Sequence, residues 1–188
     1  MGRWEPDARG RLGEAALQLY VERGFEQTTV AEIAARAGVT ARTFFRHFAD
    51  KREVLFAGSE RLQRGLVEAL ESAPASATPL EAVVAALDTA AEFLGRHHAH
   101  ARRRHCVIMA NPELYERELI KMATLAAALA DGLRRRGVPE PDATLTAETG
   151  IVVVRVAFGT WVSRPEPSDL AATMRETLAR MATVTSGT

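Results

Sequence analysis

Residues 28–56, TTVAEIAARAGVTARTFFRHFADKREVLF, restrict the possible folds of this chain more than any other stretch. Thr29-Val30-Ala31-Glu32 has the form of a capping box: a hydroxyl accepts a free amide, and a carboxylate three residues on accepts another in return. Val30, Ile33, Ala34 and Ala37 follow at helical spacing. Gly38 stands where that helix must stop, since glycine adopts left-handed backbone at little cost. Val39-Thr40 restarts the chain, with Thr40 capping a second short helix that ends near Phe48. Two helices across a short glycine turn make the helix-turn-helix pattern, whose second member enters the major groove of DNA.

Spacing assigns the faces of that second helix. At about 100° per residue, Phe44 and Phe48 share a stripe flanked by Thr40 and Ala41, while Arg42, Thr43 and Arg46 point the other way. Arginine grips guanine edges with paired hydrogen bonds, and threonine offers a hydroxyl to a base or a methyl to thymine. Phe45 and His47 fall on the shoulders, toward sugar and phosphate. Asp50-Lys51-Arg52-Glu53 forms a second capping box opening the next helix, which places Lys51 within reach of a phosphate. The expected DNA-binding set is Thr28, Thr29, Thr40, Ala41, Arg42, Thr43, Phe45, Arg46, His47 and Lys51. The competing interpretation is a plain three-helix core with a solvated basic face.

The same run resembles the DNA-binding domain of the TetR family of bacterial one-component regulators. The likeness covers roughly residues 10–58 and extends more loosely through the rest. It rests on a T-T-x-x-x-I-A-x-x-A-G-V core, then T-x-x-x-x-x-F and a lysine. Here these are Thr28, Thr29, Ile33, Ala34, Ala37, Gly38, Val39, Thr43, Phe48 and Lys51. Many members carry tyrosine where Phe45 and His47 stand, so a phosphate hydrogen bond from position 45 is lost here. The resemblance implies an all-α protein of about nine helices. A three-helix DNA-binding domain (1–55) would precede a helical ligand-binding and dimerisation domain (56–188). It also implies repression of a palindromic operator, relieved by a small molecule that favours a conformation whose recognition helices no longer match successive grooves.

Composition agrees with a soluble globular chain: 188 residues, 47% hydrophobic and 26% charged. The formal net charge of zero conceals a local excess, with Arg42, Arg46, Lys51 and Arg52 against Asp50 alone. Phosphate attraction acts over about a Debye length, so a local patch suffices. Cys106 is the single cysteine, which excludes an intrachain disulfide and suggests a reducing compartment. No signal peptide and no apolar run of ~18 residues is evident, so the cytoplasm is the expected location, without membrane or cofactor.

Along the chain, residues 1–8 form an arm carrying Arg3, and a first helix runs from about Asp7 to Arg23. A fourth helix, about 51–72, would bridge the two domains. Residues 73–79 read as a linker. Thr78-Pro79-Leu80-Glu81 starts a helix to about Leu94; HHAHARRRHCVIMA gives a polar break and a short helix ending at Ala110. Asn111-Pro112 launches a helix to about Arg136, residues 143–163 form another, and Ser168 caps the last. No strand pattern appears.

The helix at 143–163 is apolar nearly all round and so needs cover on more than one side. A second copy is the economical cover. The expected interface is Ile151, Val154, Phe158 and Val162 with Leu170, Met174, Leu178 and Met181 of the last helix. A dimer also suits half-sites one duplex turn apart. Phe93, Met109, Met122, Leu125, Phe158 and Trp161 are candidates for an adaptable apolar pocket, with Arg155 positioned for a ligand acid. Core packing is the alternative for the apolar residues, and pairing with Glu148 or with a partner subunit is the alternative for Arg155.

His97, His98, His100, His105 and Cys106 invite a metal hypothesis. Adjacent histidines diverge on a helix, and Arg102, Arg103 and Arg104 would repel a cation, so no metal site is expected. No nucleophile elbow, phosphate-cradling loop or paired-carboxylate motif is present. A metal-dependent enzyme built on that cluster, or a helical interaction module that never touches DNA, remain the alternatives to a regulator.

Overall fold

A computed structural model describes residues 7–166 and 168–187. Arg3 and the rest of the N-terminal arm to residue 6 lie outside them. Among the described residues the chain is helical, without strands. The helices are α1 (Ala8–Arg23), α2 (Val30–Arg36), α3 (Ala41–His47), α4 (Ser59–Ser72), α5 (Pro79–Leu94), α6 (His98–Met109), α7 (Pro112–Arg135), α8 (Asp142–Ser163) and α9 (Leu170–Ser186). Short 3-10 helices occupy Glu53–Phe56 and Gly95–His97.

Most boundaries follow the local chemistry expected of them. Thr29 and Thr78 each head a complete capping box with Glu32 and Glu81. Two differ. The continuous helix expected over 51–72 is interrupted. The Asp50 carboxylate accepts from the amides of Arg52 (2.8 Å) and Glu53 (3.1 Å). That tight turn leads into a single 3-10 segment before α4 begins at Ser59. The last helix is capped by Asp169, not Ser168: its carboxylate accepts from the Ala171 amide at 2.9 Å.

Two compact units emerge, Met1–Ser59 with Arg103–Glu118, and Glu60–Arg102 with Leu119–Thr188. The first unit therefore includes a segment far along the chain that sequence spacing did not associate with it. Its core holds Leu12, Leu19, Tyr20, Phe25, Ile33, Phe44, Phe48 and Phe56, joined by Val107, Ile108 and Leu114 from α6 and α7. Ion pairs hold the same segment: Arg104 to Glu118 at 3.2 Å and Arg117 to Glu53 at 3.1 Å. The Arg104 Nε also donates to the Leu55 carbonyl at 2.8 Å.

The second unit packs α5, α8 and α9 together, with α4 and α7 contributing Leu66, Leu70, Leu129 and Leu133 to the same core. By length and composition α8 could cross a membrane, but half of its apolar window is buried in the protein's own core. The same core takes in much of the expected dimer interface. Ile151, Val154, Val162, Leu170 and Met174 are buried, and Phe158, Leu178 and Met181 pack against the same intramolecular core. The face of α8 left open carries Leu145, Val152 (38% exposed) and Val156 (48% exposed). An all-round apolar helix has no polar side to orient it, so the sequence alone could not say which stripe faces its own domain.

Candidate DNA-binding surface

The turn between α2 and α3 is fixed by backbone geometry. Gly38 has φ 69°, and the amides of Gly38 and Val39 donate to the carbonyls of Ala35 (3.1 Å) and Ala34 (2.9 Å). This is the paired closure of a Schellman motif, which needs a left-handed residue at the position of Gly38. Arg11 adds a bond from Nε to the Ala37 carbonyl at 3.2 Å. On the far side of the turn the Thr40 hydroxyl accepts from the Thr43 amide at 3.2 Å and starts α3.

Phe44 and Phe48 hold α3 from behind, both buried with ring centroids 5.6 Å apart. Thr40, Ala41, Arg42, Phe45 and Arg46 are exposed, and Thr43 and His47 are half-buried. Among the described residues Arg42 and Arg46 make no hydrogen bond or ion pair, so both guanidinium groups are available to a partner. The Thr43 hydroxyl shares a 3.1 Å hydrogen bond with that of Thr40, which fixes its direction and leaves capacity for one more partner. α3 therefore presents a face of guanidinium, hydroxyl and one aromatic ring, all on a rod fixed at both ends.

Three expected contacts are placed differently. Thr28 is 1% exposed, and its hydroxyl donates to the Gly24 carbonyl at 2.8 Å, closing the turn before α2. Lys51 Nζ donates to the carbonyls of Phe25 (2.9 Å), Glu26 (3.2 Å) and Thr28 (3.1 Å), which uses the three hydrogens of an ammonium inside the fold. The Lys51 carbonyl in turn accepts from the Tyr20 hydroxyl at 2.6 Å. Burial, reinforced by the charge of Asp50, pushes the Tyr20 phenol well above its usual value, so it stays a donor. Thr29 is occupied as a cap: its amide and hydroxyl both donate to Glu32 Oε2, at 2.9 and 2.8 Å. Arg52, counted in the basic patch, is paired with Asp50 at 2.8 Å and with Glu113 at 3.7 Å.

The pocket candidates also separate. Leu125 and Trp161 are buried core, and Phe93, Met122 and Phe158 are half-buried against it. Trp161 Nε1 donates to the Ser168 carbonyl at 2.6 Å, and the His98 ring meets its face edge-on at 4.6 Å. Met109 is exposed and belongs to the first unit, and Arg155 is exposed on α8. Neither joins that group. An open groove of about 360 Å³ between α4 and α7 is lined instead by Gln63, Arg64, Val67, Glu68, Ala128, Asp131 and Arg135. Among the described residues no group of three His, Cys, Asp or Glu is placed to hold a metal ion.

A glycine-turned helix pair with an outward basic helix defines a helix-turn-helix regulator. Residues 12–57 match the family described as "Bacterial regulatory proteins, tetR family", and residues 77–186 match the "MftR C-terminal domain". The chain belongs to the TetR family of transcriptional regulators. It is 43% identical over 75 residues to the HTH-type transcriptional regulator TcmR of Streptomyces glaucescens, covering 40% of this chain and 33% of that protein. The transcriptional activator FasR of Mycolicibacterium smegmatis is 27% identical over 170 residues, covering 87% of this chain and 76% of FasR. Among solved structures, the TetR-family repressor FadR of Thermus thermophilus, in complex with lauroyl-CoA, is 26% identical with a TM-score of 0.57, covering 93% of each chain. The chain spans less than half the length of the first curated relatives it matches.

Proposed function

We propose that this chain is a dimeric, cytoplasmic regulator that binds a palindromic operator and is released from it by a small molecule. It acts by binding rather than by catalysis. The observation that carries this reading is the face of α3, where Arg42 and Arg46 stand exposed and unpaired beside Thr43 while Phe44 and Phe48 anchor the opposite side. Arg42, Thr43 and Arg46 supply base contacts, and Thr40, Ala41, Phe45 and His47 complete the surface.

The proposed dimer uses the open stripe of α8, Leu145, Val152 and Val156, which Gly159 continues toward the helix C-terminus. A Cβ added at Gly159 would meet nothing within 4 Å, which leaves room for a second helix to approach closely. The effector is proposed to enter the second unit near Phe93, Met122 and Phe158, since half-buried aromatic and thioether side chains adapt to an apolar ligand. The lauroyl-CoA bound by FadR of T. thermophilus is in keeping with an effector in this family. Selection of bound fragments from a random DNA pool tests the reading. A recovered inverted repeat is expected; indifference to sequence would remove the regulator role.

A further inference from the structure

We infer that Phe45 reads the methyl group of a thymine lying within two base pairs of the guanine gripped by Arg46; this rests on the DNA-binding role proposed above. Phe45 is 57% exposed, whereas Phe44 beside it and Phe48 at the C-cap of α3 are buried. The exposed ring is not loosely placed. It meets Phe44 edge to face, with centroids 5.5 Å apart and planes at 82°, so the core beneath sets its direction. Arg42, Phe45 and Arg46 stand at i, i+3 and i+4 and therefore share one face of the helix. That face presents an apolar disc beside two guanidinium groups.

The chemistry of the groove selects its counterpart. Phosphate and sugar oxygens call for a hydrogen-bond donor, which phenylalanine lacks. In the major groove the base edges offer donors, acceptors and a single apolar feature, the C5 methyl of thymine. Phe45 and Arg46 are consecutive in α3 and differ by only about 1.5 Å along the helix axis, less than one base-pair step of about 3.4 Å. A thymine met by Phe45 therefore lies beside, or one pair beyond, the base held by Arg46. The aromatic ring makes α3 selective for a thymine within two base pairs of a guanine, which neither arginine would achieve alone.

The test uses the full chain and the operator recovered from a random pool. Each thymine of a half-site is replaced singly by uracil, which removes the methyl and nothing else. One position is expected to bind about fourfold more weakly, the worth of a single buried methyl group. That loss should vanish in Phe45→Ala and persist in Phe45→Tyr, with helical content of both variants checked by circular dichroism. Tight operator binding that is indifferent to every uracil, or a uracil penalty undiminished in Phe45→Ala, would overturn the assignment to Phe45. A pool that yields no preferred sequence is a different result, because it removes the operator itself and with it both readings.

Discussion

The Lys51 ammonium lies 4.3 Å above the centroid of the Phe25 ring and donates to the Phe25 carbonyl at 2.9 Å. With the Glu26 and Thr28 carbonyls also bound to it, this one side chain caps the turn that joins α1 to α2. The capping of α2 and the glycine turn set the angle of α3, so any effect of Lys51 on the proposed DNA reading would run through the fold. A phosphate would have to compete with three carbonyls and an aromatic face for the same charge.

Lys51→Met should therefore lower stability toward urea by about 2 kcal/mol, the range for charge-assisted hydrogen bonds left unmade. The salt dependence of operator binding, measured on the folded fraction, should keep its slope. A slope shallower by about one ion per site would show instead that Lys51 neutralises a phosphate.

Arg46→Ala should weaken specific binding by about 1–3 kcal/mol and relax base preference at one position in each half-site. The fold should be unaffected, because the exposed guanidinium holds nothing within the protein. Competition between the operator and single-base variants is the measurement. Equal loss on every sequence would assign Arg46 to the backbone.

The contrast between Lys51 and Arg46 shows what could be read from the sequence. The caps at Thr29, Thr40 and Thr78, the glycine turn and the buried Phe44–Phe48 stripe are local, set by residues three or four apart, and spacing expresses them. Arg42 and Arg46 project from the opposite stripe and are exposed as that spacing implied. Lys51 bonds across 23 to 26 residues of chain, and no periodicity records such a contact. Thr28 turns inward for a related reason: a hydroxyl before a helix suits both a phosphate and a turn carbonyl, and here the Gly24 carbonyl takes it. The entry of Val107, Ile108 and Leu114 into the first core has the same origin, since long-range packing is invisible to a pattern of short range.

For α8 the orientation is now explicit, and Val156→Glu becomes the informative variant. Val156 is 48% exposed, so a carboxylate there is solvated in a single chain but buried without a partner across a twofold interface. Light scattering should report a folded monomer. A dimer that persists would move the interface off this stripe. Trp161→Glu, by contrast, would place a charge at a position 1% exposed and should unfold the second unit whatever its oligomeric state.

Gly150 of α8 packs directly against Val83 of α5. A Cβ built there would lie 2.6 Å from Val83 Cγ1, well inside contact distance. Helix propensity favours alanine over glycine by about 1 kcal/mol, but overpacking costs about 1–3 kcal/mol, and Val83 is fully buried with little room to move. Gly150→Ala should accordingly destabilise, by thermal unfolding. Combining it with Val83→Ala should recover part of the loss by removing the obstructing methyl groups. Simple addition of the two losses would show that this contact does not limit the packing.

The acid limb of stability should be set in part by the two capping boxes. The Glu32 carboxyl is held below its usual range by the Thr29 amide and then the Thr29 hydroxyl; desolvation opposes this, and the charge of Arg23 and its hydrogen bond assist. Glu81 is lowered in the same way by the amide and hydroxyl of Thr78. A carboxyl with a depressed folded pKa binds its proton more weakly in the native state than in the unfolded one. Its contribution is complete above the unfolded value of about 4.3 and is lost as pH falls through the folded value. Melting temperature should thus decline between about pH 5 and about pH 3. Glu32→Gln with Glu81→Gln should be less stable than the parent near neutrality and should lose less on acidification, because glutamine still accepts the cap bonds but does not titrate. An acid limb of unchanged steepness in that double variant would place the responsible carboxylates elsewhere, with Asp50 the next to examine. Burial raises the Asp50 pKa, but the hydrogen bonds from the Arg52 side chain and from the Glu53 and Arg52 amides outweigh it and leave the carboxyl lowered.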